Sequence, residues 1–369
     1  MSGLRTVVIG AAAHVFALHR PGLRAIDAEI VGVQDVDPGR ANQVAEELGC
    51  PAFADVDRLL QTPADLAVIT SPHPFHAEQA TACLRAGLHV LVEKPIAVHV
   101  GEADGLVDEA ERSGRLLAVA FQQRTRCEVQ AARRLIQSGA LGVLQRADLL
   151  ASWPRRTSYF QSAPWRATWA GEGGGVLINQ GQHDLDVLGY LMGQPGRVVG
   201  WTRTRLHPIE TEDTAAALLE WSNGAIGSVR LSTCEADEPQ RIEITGTAGR
   251  VRLQMGRLEA FRNEVDFREH VVSEGSPYAP PASQQLPAVT GEAVTHLDLY
   301  LDLARALDQG GEPIAPAREA ALTLELANAI ICSAATGAEV ELPLDRAGYR
   351  ALLASLRAGQ RPTRAKHQG

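Results

Sequence analysis

Over its first third this chain alternates short β-branched runs with helical patterns, and that rhythm restricts its fold more than any other feature. Thr6 to Ile9, Glu29 to Gln34, Leu66 to Thr70, His89 to Val92 and Leu116 to Ala120 read as strands. Ala41 to Leu48, His76 to Ala86 and Glu102 to Ser113 read as the helices between them, with Gly87 and Gly114 where a C-terminal cap belongs. Strands separated by helices pair parallel, so the segment predicts a sheet built from βαβ units. In such sheets ligands lie beyond the C-terminal ends of the strands, which directs attention to the residues just after each one.

Beyond about Phe121 the texture changes. Thr214 to Trp221, Ala225 to Ser232 and Arg241 to Thr245 alternate polar and apolar residues and follow one another without helices, as in an antiparallel sheet. Asn223-Gly224 between two of these runs is a hairpin signal. At 369 residues two domains are expected. The division predicted is an N-terminal Rossmann domain over 1–122 and, over 123–369, an α+β domain with a large, mostly antiparallel open sheet for substrate binding and oligomerisation. Ser273 to Thr290, rich in Pro, Ser and Gln, reads as a solvated loop rather than a lid. A formal charge of -9 and a pI near 5.7 disfavour nucleic acid as a partner. Apolar runs are too short for a membrane span, and Met1 to Arg5 leads straight into the first strand without a signal-like region, so a cytoplasmic protein is expected. Five scattered cysteines form no CxxC pair and read as small core residues. The basic stretch Arg357 to Lys366 reads as a frayed terminus.

After the first strand comes Gly10-Ala11-Ala12-Ala13-His14-Val15, where a dinucleotide fingerprint would read G-x-G-x-x-G. Only its first glycine is present: Gly10 suits the tight turn, while Ala12 adds a methyl where backbone normally approaches a pyrophosphate. Asp35, after the second strand, stands at the separation expected of a carboxylate for ribose hydroxyls, and it would repel a 2′-phosphate. NAD is therefore expected in preference to NADP. Asp37, before Pro38, fits a helix cap better.

At the fourth strand the chain reads His89-Val90-Leu91-Val92-Glu93-Lys94-Pro95, and this resembles the signature of the glucose-fructose oxidoreductase, inositol dehydrogenase and MocA family. Further pieces match in order: Ser71-Pro72-His73-Pro74-Phe75-His76, Gln123-Arg124, Trp165-Arg166, Gly173-Gly174-Gly175 leading to Gly181-Gln182-His183, and Ser333 to Gly337 with Leu342-Pro343-Leu344. The resemblance implies hydride transfer between NAD and a secondary hydroxyl of a sugar, sugar derivative or cyclitol. It also implies that Lys94 meets both nicotinamide ribose and substrate hydroxyl, that His183 is the general base, and that sheets pair face to face in a homodimer or homotetramer. Net glycoside cleavage by transient oxidation and elimination, or ligand binding without catalysis, stay open as alternatives.

Oxidising an alcohol requires a group that accepts its proton and a group that steadies the developing alkoxide, and Lys94 and His183 are the candidates. In a helix expected over Asn179 to Leu191, Asn179, His183 and Asp186 would share one face. Asn179 stands where many relatives carry Asp, so it can hold a substrate hydroxyl or orient His183 without stabilising an imidazolium by charge. The cofactor set predicted is Gly10, Ala12, Ala13, His14, Asp35, Ser71, His73, His76, Glu93, Lys94 and Gln123. The substrate set is Arg124, Tyr159, Trp165, Arg166, Asn179 and His183, with Arg155 and Arg156 as further candidates. His73 and His76 have no carboxylate or thiol cluster beside them in the sequence, so no metal site is expected.

Overall fold

The computed structural model describes residues 3–236, 240–291 and 295–360, and the chain divides into two compact units. In chain order the elements are β1 (Arg5–Ile9), α1 (Phe16–Ala25), β2 (Glu29–Gln34), α2 (Pro38–Leu48), β3 (Ala52–Phe53), α3 (Val56–Leu59), β4 (Leu66–Ile69), α4 (His76–Arg85), β5 (His89–Val92), α5 (Val100–Ser113) and β6 (Leu117–Val119). There follow α6 (Cys127–Gln137), β7 (Leu144–Ser152), α7 (Thr157–Phe160), α8 (Gln182–Met192), β8 (Arg197–Arg203), β9 (Thr214–Glu220), β10 (Ile226–Ser232), β11 (Arg241–Gly246), β12 (Gly249–Gln254) and β13 (Arg257–Asn263). The chain ends with α9 (Phe267–His270), β14 (Ser283–Gln285), β15 (Val289–Thr290), α10 (His296–Gln309), α11 (Ala317–Thr336), β16 (Val340–Glu341) and α12 (Arg346–Arg357).

The first unit takes in residues 1–125 together with 170–173 and 294–324, so the chain returns to it late. Its six strands are all parallel in the order β3-β2-β1-β4-β5-β6. That order reverses between β1 and β4, which puts a crevice at the ends carrying Gly10 and Ser71. Strands covered on both faces read as continuous apolar runs, and Leu66–Ile69 is wholly buried. Asp37 caps α2 by accepting from the Arg40 N–H, and Gly49 and Gly114 close α2 and α5 in the left-handed conformation. The sequence pattern missed α1, whose residues Phe16 and Leu23 share a core with Leu299, Tyr300 and Leu303 of α10.

The second unit is built on a sheet ordered β14-β13-β12-β11-β7-β10-β9-β8-β16, antiparallel except where β7 and β10 run parallel. Alternation puts Ala215, Ala217 and Leu219 inward and leaves Leu218 exposed. The expected hairpin is present: Gly224 has φ +84°, and the Asn223 side chain accepts from the Ala225 N–H. The stretch read as a loop over 273–290 instead carries two short exposed edge strands, β14 and β15, paired to β13. Among the described residues no helix is long and apolar enough to cross a membrane. The cysteines are unbridged, yet only Cys83 is a buried core residue, and Cys127 is exposed. Residues 361–366 of the basic tail lie outside the described residues.

Candidate active site

In the first unit a cavity of about 220 Å³ opens at the β1 and β4 ends, lined by Gly10, Ala12, Ala13, Asp35 and Ser71 from the expected set and by Arg40, Phe75 and Gln79 besides. Gly10 has φ +80°, and a Cβ there would stand 2.4 Å from the Ser71 nitrogen. The glycine is thus required by close approach as well as by conformation. The loop lacks its other glycines but is held otherwise. Asp35 Oδ2 accepts from the Ala12 N–H at 2.8 Å, Asp35 Oδ1 from the Asp37 N–H at 3.0 Å, and Arg40 donates to the Ala12 carbonyl at 2.6 Å. Glycine-enforced turn, cavity and a carboxylate beside it fit a dinucleotide.

Other members of the predicted cofactor set stand differently. His14 is exposed and does not line this cavity. His76 is sealed from solvent, with Nδ1 at 2.7 Å from the Pro95 carbonyl and Nε2 at 2.7 Å from the Ser71 carbonyl, so it clamps two backbone segments and has no surface to offer a nucleotide. Burial pushes its imidazole below the ordinary value, and a neutral ring donates to one of these two carbonyls while packing against the other. His73 is buried beside it with ring centroids 5.7 Å apart. Gln123 lies in a short 3-10 turn over Gln122–Thr125. The Glu93 carboxylate is turned into the interior, where His19 Nε2 and His296 Nε2 donate to it. Lys94 follows it, half-buried, at the end of β5. Of 35 basic residues only Lys94 and Lys366 are lysine, so a chain that uses arginine almost everywhere keeps an amine here.

In the second unit Tyr159, Arg166 and Asn179 come together. The Tyr159 hydroxyl accepts from Arg166 Nη1 at 2.9 Å, Gln180 Nε2 at 3.1 Å and Asn179 Nδ2 at 3.2 Å. The Arg166 guanidinium also lies 4.7 Å from the Tyr159 and Trp165 ring centroids, and that of Arg155 lies 5.2 Å from Tyr159. Arg156 is exposed just before α7. The expected helix starts late, at Gln182, because the backbone of 175–181 is spent in tight turns. Asn179 therefore lies in the turn, and only half-buried His183 and buried Asp186 share the helix face. The glycine run serves backbone packing: a Cβ on Gly175 would overlap the Glu212 carbonyl, and Glu212 Oε1 accepts the Gly175 and Leu177 N–H groups. Arg124, expected at the substrate, is buried in the first unit, donating to the Ile314 carbonyl at 3.0 Å and paired with Glu319. Its charge is already neutralised there.

Among the described residues, two clusters with potential ligand atoms were not legible in the sequence, since their members lie far apart along the chain: His19, Glu93 and His296, and His207, Asp213 and Cys234. In the second, Asp213 accepts the N–H groups of Arg205, Leu206 and His207, and His207 Nε2 meets the Arg155 carbonyl. Burial and Asp213 push the Cys234 thiol up to about 11. With its proton on, the thiol belongs with His207 and Asp213 to a hydrogen-bonded knot.

The first unit's topology and cavity define a dinucleotide-binding Rossmann domain. Residues 4–121 match the model of an oxidoreductase family with an NAD-binding Rossmann fold, and 129–252 match the GFO/IDH/MocA C-terminal domain. The chain belongs to the GFO/IDH/MocA family. It is 31% identical over 249 residues to a putative UDP-kanosamine synthase oxidoreductase subunit of Amycolatopsis mediterranei, covering 62% of this chain and 68% of that one. Myo-inositol 2-dehydrogenase of Thermotoga maritima is 26% identical over 257 residues, 67% of this chain and 74% of its own. Among solved structures, the WlbA dehydrogenase of Bordetella pertussis in complex with NADH and UDP-GlcNAcA superposes with a TM-score of 0.79 at 27% identity, covering 93% of this chain and 100% of that one.

Proposed function

We propose that this chain transfers a hydride between NAD and a secondary hydroxyl of a sugar, sugar derivative or cyclitol. The observation that carries the reading is the donor-rich aromatic cluster around the Tyr159 hydroxyl, in the same unit as His183. Aromatic faces with several convergent donors suit hydroxyl-rich ligands. When bound, the nicotinamide supplies the hydride acceptor. His183 takes the hydroxyl proton, a task suited to neutral imidazole near physiological pH. The Lys94 ammonium steadies the developing alkoxide, and Asn179, Tyr159, Trp165 and Arg166 hold and orient the polyol. The relatives' substrates support the class, since myo-inositol and a nucleotide sugar appear among them.

The division of labour follows the two units, with the cofactor held by the first and the polyol gripped by the second. The exposed sheet face supports assembly into a dimer or tetramer: Trp201, Leu218 and Ile226 are 45%, 57% and 61% exposed, and Leu218 and Ile226 line a groove of about 320 Å³. A panel of cyclitols, free sugars and nucleotide sugars, read by NADH absorbance, tests the reaction. Stoichiometric NADH with one of them supports it. Cleavage of a glycoside without net NADH would replace it with the oxidation–elimination reading.

A further inference from the structure

Behind Lys94 the first unit holds a buried polar set that the reaction as described leaves unused. Glu93 Oε1 lies 3.0 Å from His19 Nε2 and 3.1 Å from His296 Nε2, and Glu93 Oε2 accepts the Lys94 N–H at 3.0 Å. His19 Nδ1 meets the Tyr300 hydroxyl at 2.9 Å. His19 and Tyr300 are fully buried, His296 and Glu93 nearly so. The proton count closes without any ion: both Nε2 atoms carry hydrogen and donate, Tyr300 donates to the bare Nδ1 of His19, and Glu93 is ionised. Burial alone would push the Glu93 carboxyl up, but the hydrogen bonds from His19 and His296 hold it well below the usual carboxylate range. Burial pushes His19 below its ordinary value, in keeping with a neutral ring.

The set brings together three distant segments: α1 with His19, the end of β5 with Glu93, and α10 with His296 and Tyr300 on one helical face. Its assembly depends on Gly22, one turn after His19. A Cβ there would stand 2.2 Å from Tyr300 Cδ2, so the missing side chain lets the Tyr300 ring lie on α1. On the far side of the same tripeptide His76 grips the Pro95 carbonyl. The peptide that carries Lys94 is thus held from both ends, at the Glu93 side chain and at the Pro95 carbonyl. The titratable groups around it are Glu93, His19, His296, Tyr300 and His76.

We propose that Glu93, locked by His19 and His296, is the positioning residue of Lys94: it fixes the direction in which the lysine leaves β5, and its buried negative charge keeps the amine protonated. The inference rests on the reading of Lys94 as the group that steadies an alkoxide, a task that only the ammonium form performs. Arginine could carry a charge at 94 but not a compact one, which accords with the retention of lysine here.

The chain's two lysines make the test direct. Reductive methylation of the full-length protein with 13C-formaldehyde labels Lys94, Lys366 and the α-amino group, and Lys94→Arg identifies the Lys94 signal. In Glu93→Gln, the Lys94 methyl resonance should titrate lower by on the order of one pH unit, with Lys366 unmoved. NAD affinity should stay within threefold while kcat on the polyol falls tenfold or more. His296→Gln keeps the carboxylate and loosens its hold. It should lower kcat severalfold, with KM for NAD within twofold and the Lys94 titration unmoved; it also serves if Glu93→Gln does not fold. An unshifted Lys94 titration in Glu93→Gln, or an unchanged kcat in His296→Gln, overturns the proposal. So does a stoichiometric transition metal in the purified protein that is lost in His296→Gln, since the histidines would then be ligands rather than donors. Failure of the underlying reading would look different: Lys94→Ala would turn over normally while the Glu93→Gln titration still moved.

Discussion

Replacing Gly10 with alanine sets two costs on one atom. The residue has φ +80°, a conformation that costs a non-glycine residue roughly 1 kcal/mol. Its new Cβ would stand 2.4 Å from the Ser71 nitrogen, 2.6 Å from Ser71 Cα and 2.8 Å from the Thr70 carbonyl carbon. These are backbone atoms just beyond β4, paired to β1 in parallel register through Ile9 and Ile69, so no side chain can swing away. Relief requires the ends of two central strands to separate by about 1 Å, and overpacking of that kind costs about 1–3 kcal/mol. The total, about 2–4 kcal/mol, divides between folding and the nucleotide, because Gly10 and Ser71 line the same cavity. Calorimetric titration should show NAD bound at least tenfold more weakly, with a lowered melting temperature. Ala12→Gly is the counterpart. Asp35 and Arg40 hold Ala12 through its N–H and carbonyl, which glycine also has, so affinity should be unchanged or improved. Wild-type NAD affinity and melting in Gly10→Ala, or a large loss of affinity in Ala12→Gly, would refute the reasoning.

NAD should bind at least tenfold more tightly than NADP, a difference of about 1.4 kcal/mol, with Asp35→Ala narrowing the gap; equal affinities by calorimetry would contradict this. Lys94→Ala should keep the fold and most NAD affinity while lowering turnover by about two to four decades, and near-native turnover would remove Lys94 from the mechanism. Alcohol oxidation under limiting substrate should rise with pH through a single acidic limb that His183→Ala abolishes along with most of the rate. Asn179→Asp should move that limb to higher pH, since a carboxylate favours the imidazolium; an unmoved limb would uncouple the two side chains. Glu93, its carboxyl held well below the usual range, contributes stability that is present above the unfolded carboxylate pKa and lost as pH falls through the folded one. Urea midpoints should accordingly decline in acid less steeply in Glu93→Gln than in wild type, and identical slopes would deny Glu93 that part.

Features set by neighbours in sequence, the strands and caps of the first unit, were legible in it. The strands before Gly10, Asp35, Ser71 and Glu93 were legible because the buried part of a parallel strand is a short apolar run. Asp37 before Pro38 declared itself a cap. Helix α1 was missed because Pro21 and Gly22 interrupt its pattern, and the reason for Gly22 lies on α10, far along the chain. Arg124 looked like a ligand-binding group beside Gln123, while its partner Glu319 is 195 residues away. Likewise His19 stands far along the chain from His296 and Tyr300, and only the return of 294–324 to the first unit makes them one set. Their trace in the sequence was the four-residue spacing of His296 and Tyr300, together with a glycine one turn after His19. The scarcity of lysine was also on view and points to Lys94 without any fold.

The loop after β1 shows how a chain can lack two of three expected glycines and keep a dinucleotide site. In the usual pattern the second glycine lets bare backbone approach the pyrophosphate. Here Ala12 is buried, and its N–H and carbonyl are gripped by Asp35 and Arg40, so side chains set the path of the loop. Asp35 spends one bond on Ala12 and one on Asp37, and an ionised carboxylate offers about four acceptor positions. Enough capacity is left for two ribose hydroxyls. On the proposed role of Asp35, the residue that would select the cofactor also shapes the loop after β1, and the two duties could not be altered separately. Exchanging Asp35 for a residue that tolerates a 2′-phosphate would release Ala12 at the same time, so a switch of cofactor preference in this chain needs a second change, a glycine at 12, to restore the turn.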